Sequence, residues 1–119
     1  MLVCLALAAG RAQEGHPLTG TWSGDWGPAA SERHHLTVVM TWDGQQVTGT
    51  INPGPDAIPI GSVRVDYSAW VVQIDADAKD RQTPIRVDAR FENLGSPHRR
   101  LAGTWREGTT SGGFTIVRE

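Results

Sequence analysis

The sequence predicts an all-β protein, an eight-stranded antiparallel up-and-down barrel, and three observations carry that expectation. Apolar residues recur at every second position in segment after segment, turn-forming residues interrupt them at short intervals, and no stretch has helical periodicity. The 119 residues suffice for one domain and are too few for two independent cores. Fourteen glycines, seven prolines and five tryptophans suit short strands joined by many turns better than a helical bundle.

Before the first strand, Leu2 to Ala9 form an apolar run that ends in Gly10-Arg11-Ala12. This reads as the hydrophobic region and cleavage zone of a secretory signal over residues 1–12, processed after Ala12. No basic residue precedes the run, as in a start that lacks its first residues. The run is too short to span a bilayer. The abrupt change to Gln13-Glu14-Gly15-His16-Pro17 argues against a buried strand or helix there. Val3 stands where a lipobox carries Gly or Ala, which speaks against lipid anchoring at Cys4. The expectation is a secreted or periplasmic protein whose single domain covers residues 13–119. Removing the signal removes the only cysteine, and with it any disulfide, thiolate nucleophile or cysteine metal site.

Strands are expected near 19–25, 34–42, 46–52, 58–65, 70–76, 84–92, 99–106 and 113–118. In the second, Leu36, Val38, Met40 and Trp42 share one face. Trp70, Val72 and Ile74 do so in the fifth, and Leu101, Gly103 and Trp105 in the seventh. The sixth is the cleanest, with Ile85, Val87, Ala89 and Phe91 alternating with Arg86, Asp88 and Arg90. Such alternation puts one face in a core and the other in water. Asp43-Gly44 marks a tight hairpin, because glycine reaches the positive φ that such turns use. Asn52-Pro53-Gly54-Pro55-Asp56 cannot continue a strand, since its prolines remove backbone donors. Asp66 to Ser68, Asp77 to Gln82, Asn93 to His98 and Glu107 to Ser111 supply the other turns. Hairpin-length connections favour a meander that closes on itself, whereas a β-sandwich needs crossover loops.

Gly20-Thr21-Trp22-Ser23-Gly24 is echoed by Gly103-Thr104-Trp105-Arg106. The first segment resembles the Gly-x-Trp element on the first strand of the calycins, the barrel superfamily of lipocalins and avidins. That resemblance implies that Trp22 packs across the closed end of the barrel against a basic residue of the last strand. Arg118 matches that position, and both residues are then structural. The Thr-Asp-x-x-Tyr element of lipocalins and the biotin contacts of avidins have no counterpart, so neither ligand class carries over. Trp42-Asp43-Gly44 and Asn52-Pro53-Gly54-Pro55 also resemble segments of small exported bacterial proteins, a likeness that implies no activity.

The net charge is −2, and arginines alternate with carboxylates, which excludes a broad cationic face for nucleic acid. A meander gathers residues 26–33, 52–56, 77–82 and 107–111 at one end. Longer loops there make that mouth the expected binding site, with Trp26, Arg33, His34, Asn52 and Asp56 as candidates. Trp26 has two readings, a ligand contact or a lid folded on the core. Asp75, Asp77 and Asp80 match no calcium loop, and aspartates in turns commonly bond their own backbone. His34 and His35 point to opposite strand faces, and His98 lies at the other end, so neither a metal nor a cofactor is expected. No nucleophile elbow is present, and scattered carboxylates have no diagnostic force for glycosidic chemistry. The expected role is a non-enzymatic barrel for a small apolar or amphipathic ligand. The alternative is an interaction module for an envelope protein, using outward surfaces such as Arg86, Asp88 and Arg90.

Overall fold

The computed structural model describes residues 16–76 and 84–119. Its eight strands are β1 (Gly20–Ala29), β2 (Glu32–Trp42), β3 (Val47–Ile51), β4 (Ile58–Asp66), β5 (Val71–Ala76), β6 (Ile85–Glu92), β7 (Arg100–Glu107) and β8 (Thr110–Arg118). Each pairs antiparallel with the next, and β8 returns to β1 to close one barrel. No helix occurs among the described residues. Closure leaves no sheet edge exposed for pairing with another chain. The expected signal segment and the 77–82 turn, with Asp77 and Asp80, lie outside the described residues. Asp75 is engaged on the outer surface by Arg86 and Ser62.

Alternation builds the core as expected. Leu36, Val38 and Met40, Val72 and Ile74, Val87 and Phe91, and Leu101, Phe114 and Ile116 are all buried in one continuous cluster. Ile60 is only partly buried, because β4 shifts register against β5 between Ile60 and Ser62. Burying each large apolar side chain contributes roughly 1.5–3 kcal/mol, so the packed middle supplies most of the stabilisation. Two glycines let neighbouring strands approach closely. A Cβ on Gly24 would lie 1.9 Å from the Thr115 carbonyl oxygen, and one on Gly103 1.9 Å from that of Asp88.

Two hairpins depart from expectation. The loop expected over 26–33 is strand: β1 runs on to Ala29, β2 begins at Glu32, and Ala30-Ser31 make the turn. Likewise β8 begins at Thr110, and Gly108-Thr109 form a two-residue turn with Gly108 at φ 63. Gly27 and Gly112 are the physical reason. Their backbones lie so close that a Cβ on Gly112 would sit 2.0 Å from the Gly27 oxygen, so pairing continues where side chains would have ended it. Asn52 to Ala57 is therefore the one longer connection described at that end. Trp70, expected to open the fifth strand, instead ends the preceding turn at φ 55 and packs edge-on against Phe91 at 5.7 Å.

The opposite end is sealed by the segment that leads into β1. Leu18 is fully buried, and the Trp22 indole N–H donates to its carbonyl oxygen at 2.9 Å. Trp22 and Arg118 are cross-strand partners. The Arg118 guanidinium donates from Nε to the Thr19 oxygen at 2.7 Å and from Nη1 to the Pro97 oxygen at 3.3 Å. Gly20, at φ 133, makes room for it, since a Cβ there would approach Arg118 Nε to 2.7 Å. His16 stacks on Trp42 with ring centroids 4.5 Å apart. Its Nδ1 accepts from the Leu18 N–H, so Nε2 holds the proton and donates to the Tyr67 hydroxyl at 2.9 Å. Burial of this ring lowers its pKa from the ordinary imidazole value.

Candidate ligand recess at the open end

Odd-numbered strands rise from the sealed floor to the open end, and the inward positions continue upward beyond the core. Next above Gly24 on β1 is Trp26, paired across β2 with His34 and across β8 with Phe114. Next above Gly103 on β7 is Trp105, followed by Glu107. Trp105 is paired with Gly112, whose missing side chain lets the indole lean over β8 towards Trp26.

The outcome is a ladder of aromatic rings. His34 lies 5.2 Å from Trp26, Trp26 stacks on Trp105 at 5.1 Å with planes 15° apart, and Trp105 continues to Phe114 at 6.2 Å. Offset stacking of this kind contributes about 0.5–1.5 kcal/mol per pair beyond burial and holds the rings in fixed orientation. Trp26 packs against the core cluster, as the lid reading expects, and it also lines a recess.

That recess measures about 230 Å³. It is lined by the rings of Trp26, His34 and Trp105, by the apolar Leu36 and Ile58, and by His35, Asn52 and Glu107. The volume lies below the span of roughly 300–1,000 Å³ typical of drug-sized ligands, so it suits one small ring or the end group of something larger. Asn52, immediately after β3, adopts φ 52, a left-handed conformation that asparagine tolerates. Its backbone N–H donates to the Thr37 oxygen at 2.7 Å, and its side-chain oxygen accepts from the Thr37 N–H at 3.0 Å. The Trp105 indole N–H points to the Glu107 carboxylate at 3.4 Å.

Of the residues proposed from sequence, the fold brings Trp26, His34 and Asn52 together in this recess. Arg33 is placed elsewhere. It faces outward, where its guanidinium binds the Asp25 carboxylate at 2.6 Å and the carbonyl oxygens of Gly27 and Gly113, each at 3.1 Å. It thus fastens the β1–β2 hairpin to β8. Asp56 is exposed in the 52–57 connection and does not line the recess. Trp105 and Glu107 also line the recess and were not among the residues expected there. Carrying the Leu101-Gly103-Trp105 alternation one step further places Glu107 inward, and an acidic residue at an inward position is the available signal.

His34 and His35 face opposite register partners, Trp26 and Asp25. Among the described residues, no group of three or more His, Cys, Asp or Glu is gathered closely enough to hold a metal ion. No described helix is long and apolar enough to cross a membrane. A second depression, of about 360 Å³, lies on the outer surface of β5, β6 and β7. It is lined by Val71, Ala89, Ala102 and Gly103 and by the charged Asp88, Arg90 and Glu92.

No protein-family model, no curated protein and no solved structure matches this chain.

Proposed function

We propose that this protein is an exported, non-enzymatic binding barrel that holds a small amphipathic ligand in the recess at its open end. One observation carries the reading: the aromatic ladder of His34, Trp26 and Trp105 borders a recess that Asn52 and Glu107 also line. The middle of the barrel is filled by side chains, and the recess offers room for a ligand above it among the described residues. Aromatic rings beside polar side chains suit a ligand with both an apolar and a polar part. The pairing of Trp22 with Arg118 at the sealed end supports a calycin-like reading of the barrel. The leader-like residues 1–12 support export.

Tryptophan fluorescence titrated with a panel of aromatic, aliphatic and sugar ligands tests the binding role. A saturable change that disappears in Trp26→Phe is the expected result. A panel that gives no Trp26-dependent response would remove the recess as the site.

A second reading is a protein-interaction module, and the outer depression beside Asp88 and Arg90 favours it. Capture of one stoichiometric partner from envelope extract, abolished by Arg90→Glu and untouched by Trp26→Phe, would establish that reading instead.

A further inference from the structure

The sealed end of the barrel has a property of its own, independent of the recess. We propose that residues 16–19 are an acid-released strap: protonation of His16 unfastens them from the floor while the eight strands stay closed.

The strap is a self-contained turn. The Thr19 N–H donates to the His16 oxygen at 3.1 Å, and Pro17, second in the turn, has the fixed φ that this position uses. β1 begins only at Gly20, and its pairing starts with Gly20 opposite Met40 and Trp22 opposite Arg118. The strap therefore lies outside the strand ladder and can leave without breaking it. Leu18, wholly buried, fastens it, together with the Trp22 N–H on the Leu18 oxygen. Arg99 and Arg118 hold the Pro17 and Thr19 oxygens, and His16 completes the set.

His16 is the fastening whose chemistry changes with pH. Its Nδ1 accepts from the Leu18 N–H at 3.2 Å, its Nε2 meets the Tyr67 hydroxyl at 2.9 Å, and its ring lies on Trp42. An imidazolium has a proton on both nitrogens, so Nδ1 would set an N–H against an N–H. Turning the ring over puts a carbon where each nitrogen stands and loses both bonds. The added charge also finds no counterion, since among the described residues no carboxylate binds the ring. Asp43, next to Trp42, is engaged by the Gln45 and Gln46 amides, and Asp66, next to Tyr67, by Ser68 and Ala69. The other charged groups on the strap, Arg99 and Arg118, are themselves cations. Burial lowers the His16 pKa and so acts in the same direction.

Once released, the ring regains an ordinary pKa of about 6.5 and takes up its proton in water. Each pH unit below that value favours release by up to about tenfold, until the lowered pKa of the fastened ring is reached. Release frees Leu18 and the face of Trp42, beside Tyr67 and Trp70, which are exposed already. Apolar surface at this end therefore grows in acid.

Amide and indole hydrogen exchange of the whole protein, followed by NMR between pH 7 and pH 4.5, tests this proposal. Protection of the Leu18 amide and the Trp22 indole N–H should fall by up to about tenfold per pH unit below about 6.5, while amides of the β6–β7 ladder keep theirs. In His16→Phe, which keeps a ring for Trp42 and cannot take up a proton, protection of the Trp22 indole should no longer depend on pH. His16→Gln makes the same test if the phenylalanine variant does not fold. Strap protection that stays level in the parent protein, or that falls in step with the ladder, would overturn the proposal. A loss in acid that persists in these variants would overturn it too, because another group would then be the trigger.

Discussion

The tripeptide Gly-Thr-Trp occurs twice, and the fold sends one copy to each end of the barrel. Gly20-Thr21-Trp22 enters β1 at the floor, and Gly103-Thr104-Trp105 lies towards the upper end of β7. At the floor, Trp22 is wholly buried and its N–H is bound by a backbone carbonyl. Around it, Arg118 and His16 bind carbonyl, amide and hydroxyl partners. At the open end, Trp105 has a side-chain acceptor, its neighbour Trp26 has none among the described residues, and the Asn52 amide commits only its oxygen. The same residue types therefore close one end and equip the other. What separates the two copies is the kind of acceptor that the indole N–H meets, a backbone carbonyl at Trp22 and a side-chain carboxylate at Trp105.

The sharpest way to break this comparison is to truncate one tryptophan from each end. Trp22→Ala removes a fully buried indole and leaves its cavity in the floor, which should cost about 3–5 kcal/mol in urea unfolding. Trp26→Ala removes a half-buried ring whose stack contributes about 0.5–1.5 kcal/mol per pair beyond burial, so its cost should be clearly smaller while ligand binding is lost. Equal destabilisation would make the upper ladder an extension of the core, and the distinction between the ends would collapse.

Much of this contrast was legible in the sequence, and the exceptions have physical causes. Period-two alternation located all eight strands and nearly every inward side chain, because burial on one face of a strand leaves no other pattern. The Gly-x-Trp resemblance implied that Trp22 and Arg118 are partners, and the meander agrees, since it brings the start of β1 and the end of β8 to one place. The upper end was harder to read. Gly27, Pro28 and the glycines at 112 and 113 look like chain breakers, yet Gly27 and Gly112 are there because two backbones nearly touch. Reading them as loop made Arg33 a site candidate, and it proved to be an outward clamp. It also ended the seventh strand one residue too soon, which hid Glu107. Alternation reports which face is buried; it cannot report how closely two backbones approach when neither carries a side chain.

A second test sharpens the account of the floor through pH. His16 accepts from Leu18 through Nδ1, which only the unprotonated nitrogen can do, and burial lowers its pKa. The unfolded chain takes up a proton as pH falls through about 6.5, whereas the folded floor resists it. Stability should therefore decline as pH falls from about 6.5 and level off only below the lowered folded pKa. The carboxylates adjoining the two aromatic partners do not blur this window. Asp43, next to Trp42, is held below its ordinary pKa by the Gln46 and Gln45 amides, and Asp66, next to Tyr67, by the Ser68 hydroxyl and the Ala69 and Ser68 amides. Both therefore stay charged across the range in which His16 takes up its proton, and their contribution is lost only in stronger acid. Denaturant midpoints between pH 7 and pH 4.5 should fall in the parent protein and stay nearly level in His16→Phe. A parallel decline in both would place the titrating group elsewhere.

The smallest expected effect concerns the one polar atom that the floor leaves out. Among the described residues, Thr19 Oγ1 is the buried side-chain oxygen without a hydrogen-bond partner, even though the Thr19 carbonyl binds Arg118. The hydroxyl has lost water and gained no partner there, a state that costs about 1–3 kcal/mol. Thr19→Val keeps the shape, removes that cost, and should stabilise the protein by about 1 kcal/mol. Thr19→Ser, which keeps the hydroxyl and loses the methyl, should bring no gain. Stabilisation by valine alone would mean that backbone carbonyls and amides, with Trp22, Arg118 and His16, satisfy the floor by themselves. Destabilisation by valine would show that the hydroxyl has a partner, and the floor would then contain a polar contact beyond those that distinguish it from the open end.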